Sequence, residues 1–143
     1  MLDRDALSTR LAALETYLRE IRSLAKHDRE EFAATPALHH LAERHLHLAC
    51  ECVLDTAHHV IAEMGYRQPE SYRDAMDVLR ENGHLDEPLA ERLKAWVGLR
   101  NVLVRFYLTV DHERVHDAMR NDLGGLTAFA QRMAPLLGGD VPG

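Results

Sequence analysis

Leucine and isoleucine recur every three or four residues along the first stretch of the chain, where Leu7, Leu11, Leu14, Leu18, Ile21 and Leu24 make one apolar stripe. That spacing predicts a helix from about Asp3 to Lys26, with Asp3 or Asp5 well placed at the positive end of its dipole. Asp28 to Ala34 suits a short helical turn. Thr35-Pro36 opens a second long helix, because threonine caps well and proline is tolerated in a first turn. It continues to Met64 and stops at Gly65, which takes left-handed backbone readily. Tyr66 to Glu70, with Pro69, reads as a loop. Ser71 caps a shorter helix that turns Tyr72, Ala75, Met76 and Leu79 inward and ends near Asn82-Gly83.

Asp86, followed by Pro88, starts a fourth helix that the pattern carries to about Leu108. Thr109-Val110-Asp111 breaks it, and Asp111 caps a fifth that reaches about Leu136, weakened at Gly124-Gly125. Gly138 to Gly143 is expected to form a disordered tail. No strand alternation, repeat or low-complexity block interrupts this order. The expected fold is all-α: one domain over 1–137, an antiparallel bundle of four long helices plus one short one.

The fourth helix departs from the usual one-faced pattern. With about 100° of turn per residue, Leu99, Val102, Leu103, Phe106 and Val110 form a core stripe. Leu93, Val97, Val104 and Leu108 form a second apolar surface, which needs a second partner and predicts a homodimer. Arg100, Asn101, Arg105 and Tyr107 lie in or beside that surface. Arg100 and Tyr107, seven apart, are expected on one face, and Asn101 and Arg105, four apart, are neighbours. Two readings fit: a core helix whose arginines reach solvent along their stems, or a self-association surface holding a phosphate-sized polar cleft.

Composition narrows the function. The 143 residues are 46% apolar and 28% charged, enough for one core without disulfide or metal staples. No apolar run approaches the roughly 20 residues of a membrane span, and Met1-Leu2-Asp3-Arg4-Asp5 is not built like a signal peptide. A cytoplasmic protein without membrane contact is expected. The net charge of −6 argues against a broad DNA- or RNA-coating surface, though not against a local phosphate site. Cys50 and Cys52 fall on opposite sides of a helix and read as buried or half-buried thiols.

Other patterns carry less. His112-Glu113-Arg114-Val115-His116 spells a zinc-protease motif, but no His or Glu follows to complete it. His47, Glu51, Asp55, His59 and Glu63 step by four along the second helix. They read as a polar stripe, from which Glu51 or Asp55 could hold an arginine of the cleft by an ion pair. Trp96 and Tyr72 read as packing residues rather than base-stacking platforms. No Gly-rich phosphate loop or Ser/His/Asp arrangement is present, and no cofactor or metal is expected.

Leu99-Arg100-Asn101-Val102-Leu103-Val104-Arg105-Phe106-Tyr107 resembles the signature of the HepT-like HEPN toxins: Arg, four residues, His, one residue, Tyr, with a polar residue after the Arg. Leu54 to Glu63, Pro69 to Ala75 and Val110 to Val115 resemble the family's surrounding helices, so the likeness covers nearly the whole chain. The resemblance implies a dimeric helical bundle and a metal-independent endoribonuclease that arrests growth. It also implies an MntA-type nucleotidyltransferase antitoxin that silences the toxin by attaching AMP to the motif tyrosine. By the same resemblance Arg100 stabilises the scissile phosphate of RNA, Asn101 orients it, and Tyr107 accepts AMP.

Arg105 stands where the family has histidine. A guanidinium binds phosphate well, but at neutral pH it cannot take up a proton as general acid-base cleavage requires. The chain as it stands is therefore expected to be catalytically impaired, as a natural inactive member or as a toxin disabled by substitution. The alternative is a HEPN module that binds RNA, a nucleotide or a nucleotidyltransferase without cleaving; the plainest reading is a helical interaction protein.

Overall fold

A computed structural model of the chain describes residues 2–138, so the expected tail lies outside the described residues apart from Gly138. Within them the chain is all-helical and forms the expected antiparallel bundle, with seven α-helices and no strand among the described residues. They are α1 (Arg4–Leu24), α2 (Arg29–Ala34), α3 (Pro36–Glu63), α4 (Tyr72–Glu81), α5 (Glu87–Arg105), α6 (His112–Asn121) and α7 (Leu123–Met133).

Most helix starts follow the capping residues. Side chains of Asp3, Ser71, Asp86 and Asp111 each accept backbone N–H groups of the turn they open. Thr35 occupies the N-cap of α3 without making that bond; Pro36, in the first turn, supplies the preset backbone instead. Gly65 has φ +70°, the left-handed conformation expected just past α3.

The α1 stripe is wholly inside: Leu7, Leu11, Leu14, Leu18, Ile21 and Leu24 are all buried. It packs most extensively against α3, which also meets α2, α4, α5 and α7 and so forms the centre of the bundle. Ala42, Ala49 and Ala57 are fully buried along α3, small side chains that let its neighbours approach closely.

Two helices end earlier than the apolar pattern suggests. The fourth stops at Arg105, where Phe106 leaves helical geometry (φ −124°, ψ 38°). A single 3-10 turn, Tyr107–Thr109, follows, closed by Thr109 N–H and Thr109 Oγ1 both donating to the Phe106 carbonyl, at 2.9 and 3.0 Å. Phe106, assigned by periodicity to the core, is consequently 59% exposed. Leu93 and Val97 of the presumed second apolar surface are buried within the chain; Val104 and Leu108 alone of that surface remain exposed.

The last long helix is divided into α6 and α7 at Asp122, two residues before the expected weak point. Trp96 of α5 is buried and donates its indole N–H to the Asp122 carbonyl at 3.0 Å, an oxygen that also accepts the Gly125 N–H at 3.1 Å, so α5 is tied to the junction of α6 and α7. Trp96 is thereby a structural residue, as read from the sequence.

Candidate functional site

Arg100 lies on the side of α5 that faces α3 and the start of α4. Its Nε donates to Glu51 Oε1 at 2.5 Å, and its Nη1 donates to Asn101 Oδ1 at 3.0 Å. Its guanidinium carbon sits 5.1 Å from the centre of the Tyr72 ring, within cation–π range. The arginine side chain is only 11% exposed, so carboxylate, amide and ring hold it in one pose. Of the two acids suggested by the α3 stripe, Glu51 makes this pair; Asp55 is exposed and in no ion pair among the described residues.

His47, one turn before Glu51, brings Nε2 to 3.7 Å from the same Oε1 atom. Burial pushes its pKa below the ordinary value, and the nearby Arg44 and Arg100 charges push the same way against Glu51. The His47 imidazole beside the Arg100–Glu51 pair is thus biased toward its neutral form.

Asn101 and Arg105 face an open cleft of about 450 Å³ between the end of α5, α3 and the loop before α4. Glu70, Ser71 and Tyr72 form its far wall. Since Asn101 Oδ1 accepts from Arg100, its amide N–H groups are left to donate. Arg105 is exposed and in no ion pair among the described residues. The cleft thus combines a free guanidinium with amide donors, a donor set suited to phosphate.

His58 lines the same cleft, a placement that reading the sequence alone did not single out. Its Nδ1 lies 2.9 Å from the Leu54 carbonyl, which makes Nδ1 the protonated nitrogen and leaves Nε2 as an acceptor. The i to i−4 hydrogen bond and the edge-on contact with Tyr72, at 5.8 Å between ring centres, fix the imidazole. The only advance signal was that Tyr72 opens α4, the element that closes the cleft. Tyr72 itself is half-exposed and touches both His58 and Arg100, so it belongs to the site rather than to the core.

Tyr107 does not share a helical face with Arg100. The break after Arg105 carries it onto the 3-10 turn, 67% exposed. Its hydroxyl is open to a second macromolecule instead of being packed along α5.

The protease-like motif at the start of α6 comes apart in space. His116 is buried, with Nε2 2.6 Å from the His27 carbonyl and its ring against Phe32. Glu113 pairs with Arg29. His112 turns the other way, toward Glu43 of α3. The cysteines are unpaired; Cys50 is fully buried, its thiol pushed up to about 12 chiefly by that burial, and Cys52 is half-buried.

Known proteins share this fold. The chain is 26% identical over 125 residues to the mRNA nuclease HepT of Shewanella oneidensis, a match spanning 87% of this chain and 93% of that one. It superposes on the cytosolic protein YutE of Bacillus subtilis, of unknown function, with a TM-score of 0.86 and 27% identity, over 99% and 95% of the two chains. It also superposes on the tri-AMPylated HEPN toxin of Shewanella oneidensis, solved in complex with its MNT antitoxin, with a TM-score of 0.83 and 25% identity, over 94% and 98% of the chains. No helix of the described residues is long and apolar enough to cross a membrane. Residues 14–133, the bundle that holds the whole cleft, match the family of ribonuclease HepT-like proteins, and the chain belongs to it.

Proposed function

We propose that this chain is the cytoplasmic toxin component of a HEPN–nucleotidyltransferase pair, acting as a homodimer on RNA and silenced by AMP transfer to Tyr107. The observation that carries this reading is the end of α5. Asn101 and Arg105 face a phosphate-sized cleft, and Tyr107 stands exposed two residues beyond. The tri-AMPylated relative bound to its MNT antitoxin supports the partner and the modification. The mRNA nuclease relative supports RNA as the substrate.

RNA cleavage without a metal needs a base for the ribose 2′-OH, an acid for the departing 5′-oxygen, and positive charge on the crowded phosphorane. Arg100, clamped by Glu51, and the free Arg105 supply charge. The Asn101 amide supplies a neutral donor that sets the phosphate's orientation. Arg105 cannot move a proton at neutral pH, so phosphate binding is retained while cleavage is impaired.

A second reading rests on His58. It faces the same cleft with Nε2 free to accept a proton, and in this reading it supplies the missing acid-base group. One set of variants separates the two. Arg105→His should raise RNA cleavage by roughly 100-fold or more if the missing imidazole is limiting, the lower end of what general acid-base catalysis contributes. If the native chain already cleaves, and His58→Ala abolishes that activity while Arg105→His adds little, His58 is the proton carrier. Retained RNA binding with no cleavage by either protein would identify a binding module and overturn the nuclease assignment.

AMP transfer balances simply. The Tyr107 Oη attacks the α-phosphorus of ATP, pyrophosphate leaves with the bond it breaks, and the phenolic proton passes to solvent or a base of the partner. The exposed apolar residues Val104, Phe106 and Leu108 around this tyrosine support a homodimer formed at the end of α5.

A further inference from the structure

On the start of α3, away from the cleft, His39 and Glu43 lie one helical turn apart, and His112, the first residue of α6, meets them. Both imidazoles turn Nδ1 toward the same carboxylate oxygen, Glu43 Oε2. His112 Nδ1 forms a short hydrogen bond with that oxygen. His39 Nδ1 stops at 3.7 Å, too far for one. His39 is 5% exposed, and its Nδ1 is a buried polar atom with no hydrogen-bond partner. Such an orphan is costly unless something else satisfies it.

The two rings stack nearly parallel, with centres 3.6 Å apart and an 18° angle between planes. Two imidazolium ions would repel in that geometry, and the Glu43 carboxylate, which only accepts, requires His112 Nδ1 to be the donor of their hydrogen bond. Burial and the neighbouring His112 hold the pKa of His39 below its ordinary value, with Glu43 opposing. The wall behind His39 is the fully buried Phe32 ring.

We propose that His39, Glu43 and His112 form a binding site for one divalent transition-metal ion, best suited to Zn²⁺, that ties the start of α3 to the start of α6. The donor set is two imidazole nitrogens and one carboxylate oxygen, all within 4.8 Å of one another. A tetrahedral Zn²⁺ places such donors about 3.3 Å apart, so binding draws them together and turns the two imidazoles out of their parallel stack until both Nδ1 lone pairs point at the ion. The ion takes the lone pair of His39 Nδ1 and replaces the hydrogen bond between His112 and Glu43; the His112 Nδ1 proton moves to solvent or is exchanged for one on Nε2 as the ion binds. His112, 30% exposed, leaves the fourth position to water. The linear motif at His112 and His116 hid this site because its partners come from a helix nearly seventy residues earlier. Metal binding here does not depend on the ribonuclease reading, since no group of the cleft takes part.

The consequence would be local. His112 directly follows the Phe106–Asp111 connection that carries Tyr107, so a bound ion holds one end of that connection in place.

The test uses the full chain, stripped with a chelator and titrated with ZnCl₂ by calorimetry and by thermal denaturation. The expected result is uptake of one Zn²⁺ per chain and a Tm that rises with free Zn²⁺. Glu43→Gln and His112→Ala should each weaken binding by about tenfold or more and remove the Tm rise; ligand removal exceeds the lower bound known for outer-shell changes. His45→Ala, on the same helix but outside the cluster, should change neither. Co²⁺ on the native protein gives a readout that needs no variant: intense visible absorption of a four-coordinate ion. Absence of stoichiometric Zn²⁺ uptake, a weak six-coordinate Co²⁺ spectrum, or binding undiminished in both variants would overturn the site.

Discussion

Arg100 Nε donates to Glu51 Oε1 at 2.5 Å, joining α5 to α3. Arg100 is 11% and Glu51 34% exposed at the side chain, so the pair is shielded on one flank and wet on the other. The carboxylate both aims the guanidinium and partly neutralises it. Glu51→Gln keeps the shape while removing the charge, so the expected loss is about 1–2 kcal/mol. That is the range for a charge-assisted hydrogen bond discounted for partial exposure. Urea denaturation of the two proteins measures it, and an unchanged midpoint would mean the pair does not hold Arg100.

Tyr107 offers a cleaner separation of structure from function. Its side chain is largely solvated, so Tyr107→Phe should leave stability within about 0.5 kcal/mol of the native value, as for other surface changes. Incubated with ATP and a nucleotidyltransferase partner of the MntA type, the native chain should gain the mass of AMP less water. The Phe variant should not gain it at that position. Intact-protein and peptide mass spectrometry read both, and modification found only elsewhere would refute Tyr107 as the acceptor.

The capping residues made most of this fold legible. Asp3, Ser71, Asp86 and Asp111 stand one residue before the helices they open, and the α1 stripe is buried as its spacing requires. The α3 stripe offers Glu51 or Asp55 as the partner of a cleft arginine without choosing between them, and the fold pairs Glu51 with Arg100. The end of α5 was not legible. Val102, Val104, Phe106, Tyr107, Thr109 and Val110 continue the apolar pattern, yet β-branched and aromatic side chains are weak helix formers. Periodicity counts apolar positions without knowing where the core stops; just beyond Arg105, Phe106, Tyr107 and Leu108 are exposed among the described residues, and the 3-10 turn takes over. The break at Asp122 and the His39–Glu43–His112 cluster depend on contacts between distant elements, Trp96 with Asp122 and His112 with Glu43. Gly124-Gly125 marks the neighbourhood of the break but not its residue, and no local pattern encodes the cluster.

The loop that walls the cleft has its own pH dependence. Arg67 donates to Asp74 at 2.7 and 2.9 Å and to Glu81 at 2.8 and 2.9 Å, while Asp74 also accepts Glu70 N–H at 2.8 Å. The Arg67 hydrogen bonds hold the Asp74 carboxyl well below the usual carboxylate range and lower that of Glu81. Both folded-state values are depressed. Their contribution is therefore present above the ordinary values of 3.8 and 4.5, and is lost as pH falls through the lower folded values. Arg67→Ala should lower the denaturation midpoint at neutral pH, and the gap from the native protein should close in acid. A gap that stays constant across that range would show that the network does not tether the loop.

The four residues Val104, Phe106, Tyr107 and Leu108 are all exposed at one end of the molecule, with Leu108 at 86%. They lie close along the chain across the α5 terminus and the 3-10 turn, with the exposed Arg105 between Val104 and Phe106. A second copy of the chain, related by a twofold axis, would cover this surface with the same surface of its own. It would also bring a second Arg105 and a second Tyr107 to the junction. Leu108 makes so little contact within its own chain that Leu108→Glu should leave folding intact. Two carboxylates facing one another across the axis should split the pair. Sedimentation at micromolar concentration should therefore find a dimer for the native chain and a monomer of unchanged helicity for Leu108→Glu. A native monomer, or a variant that still dimerises, would move the subunit contact away from the end of α5.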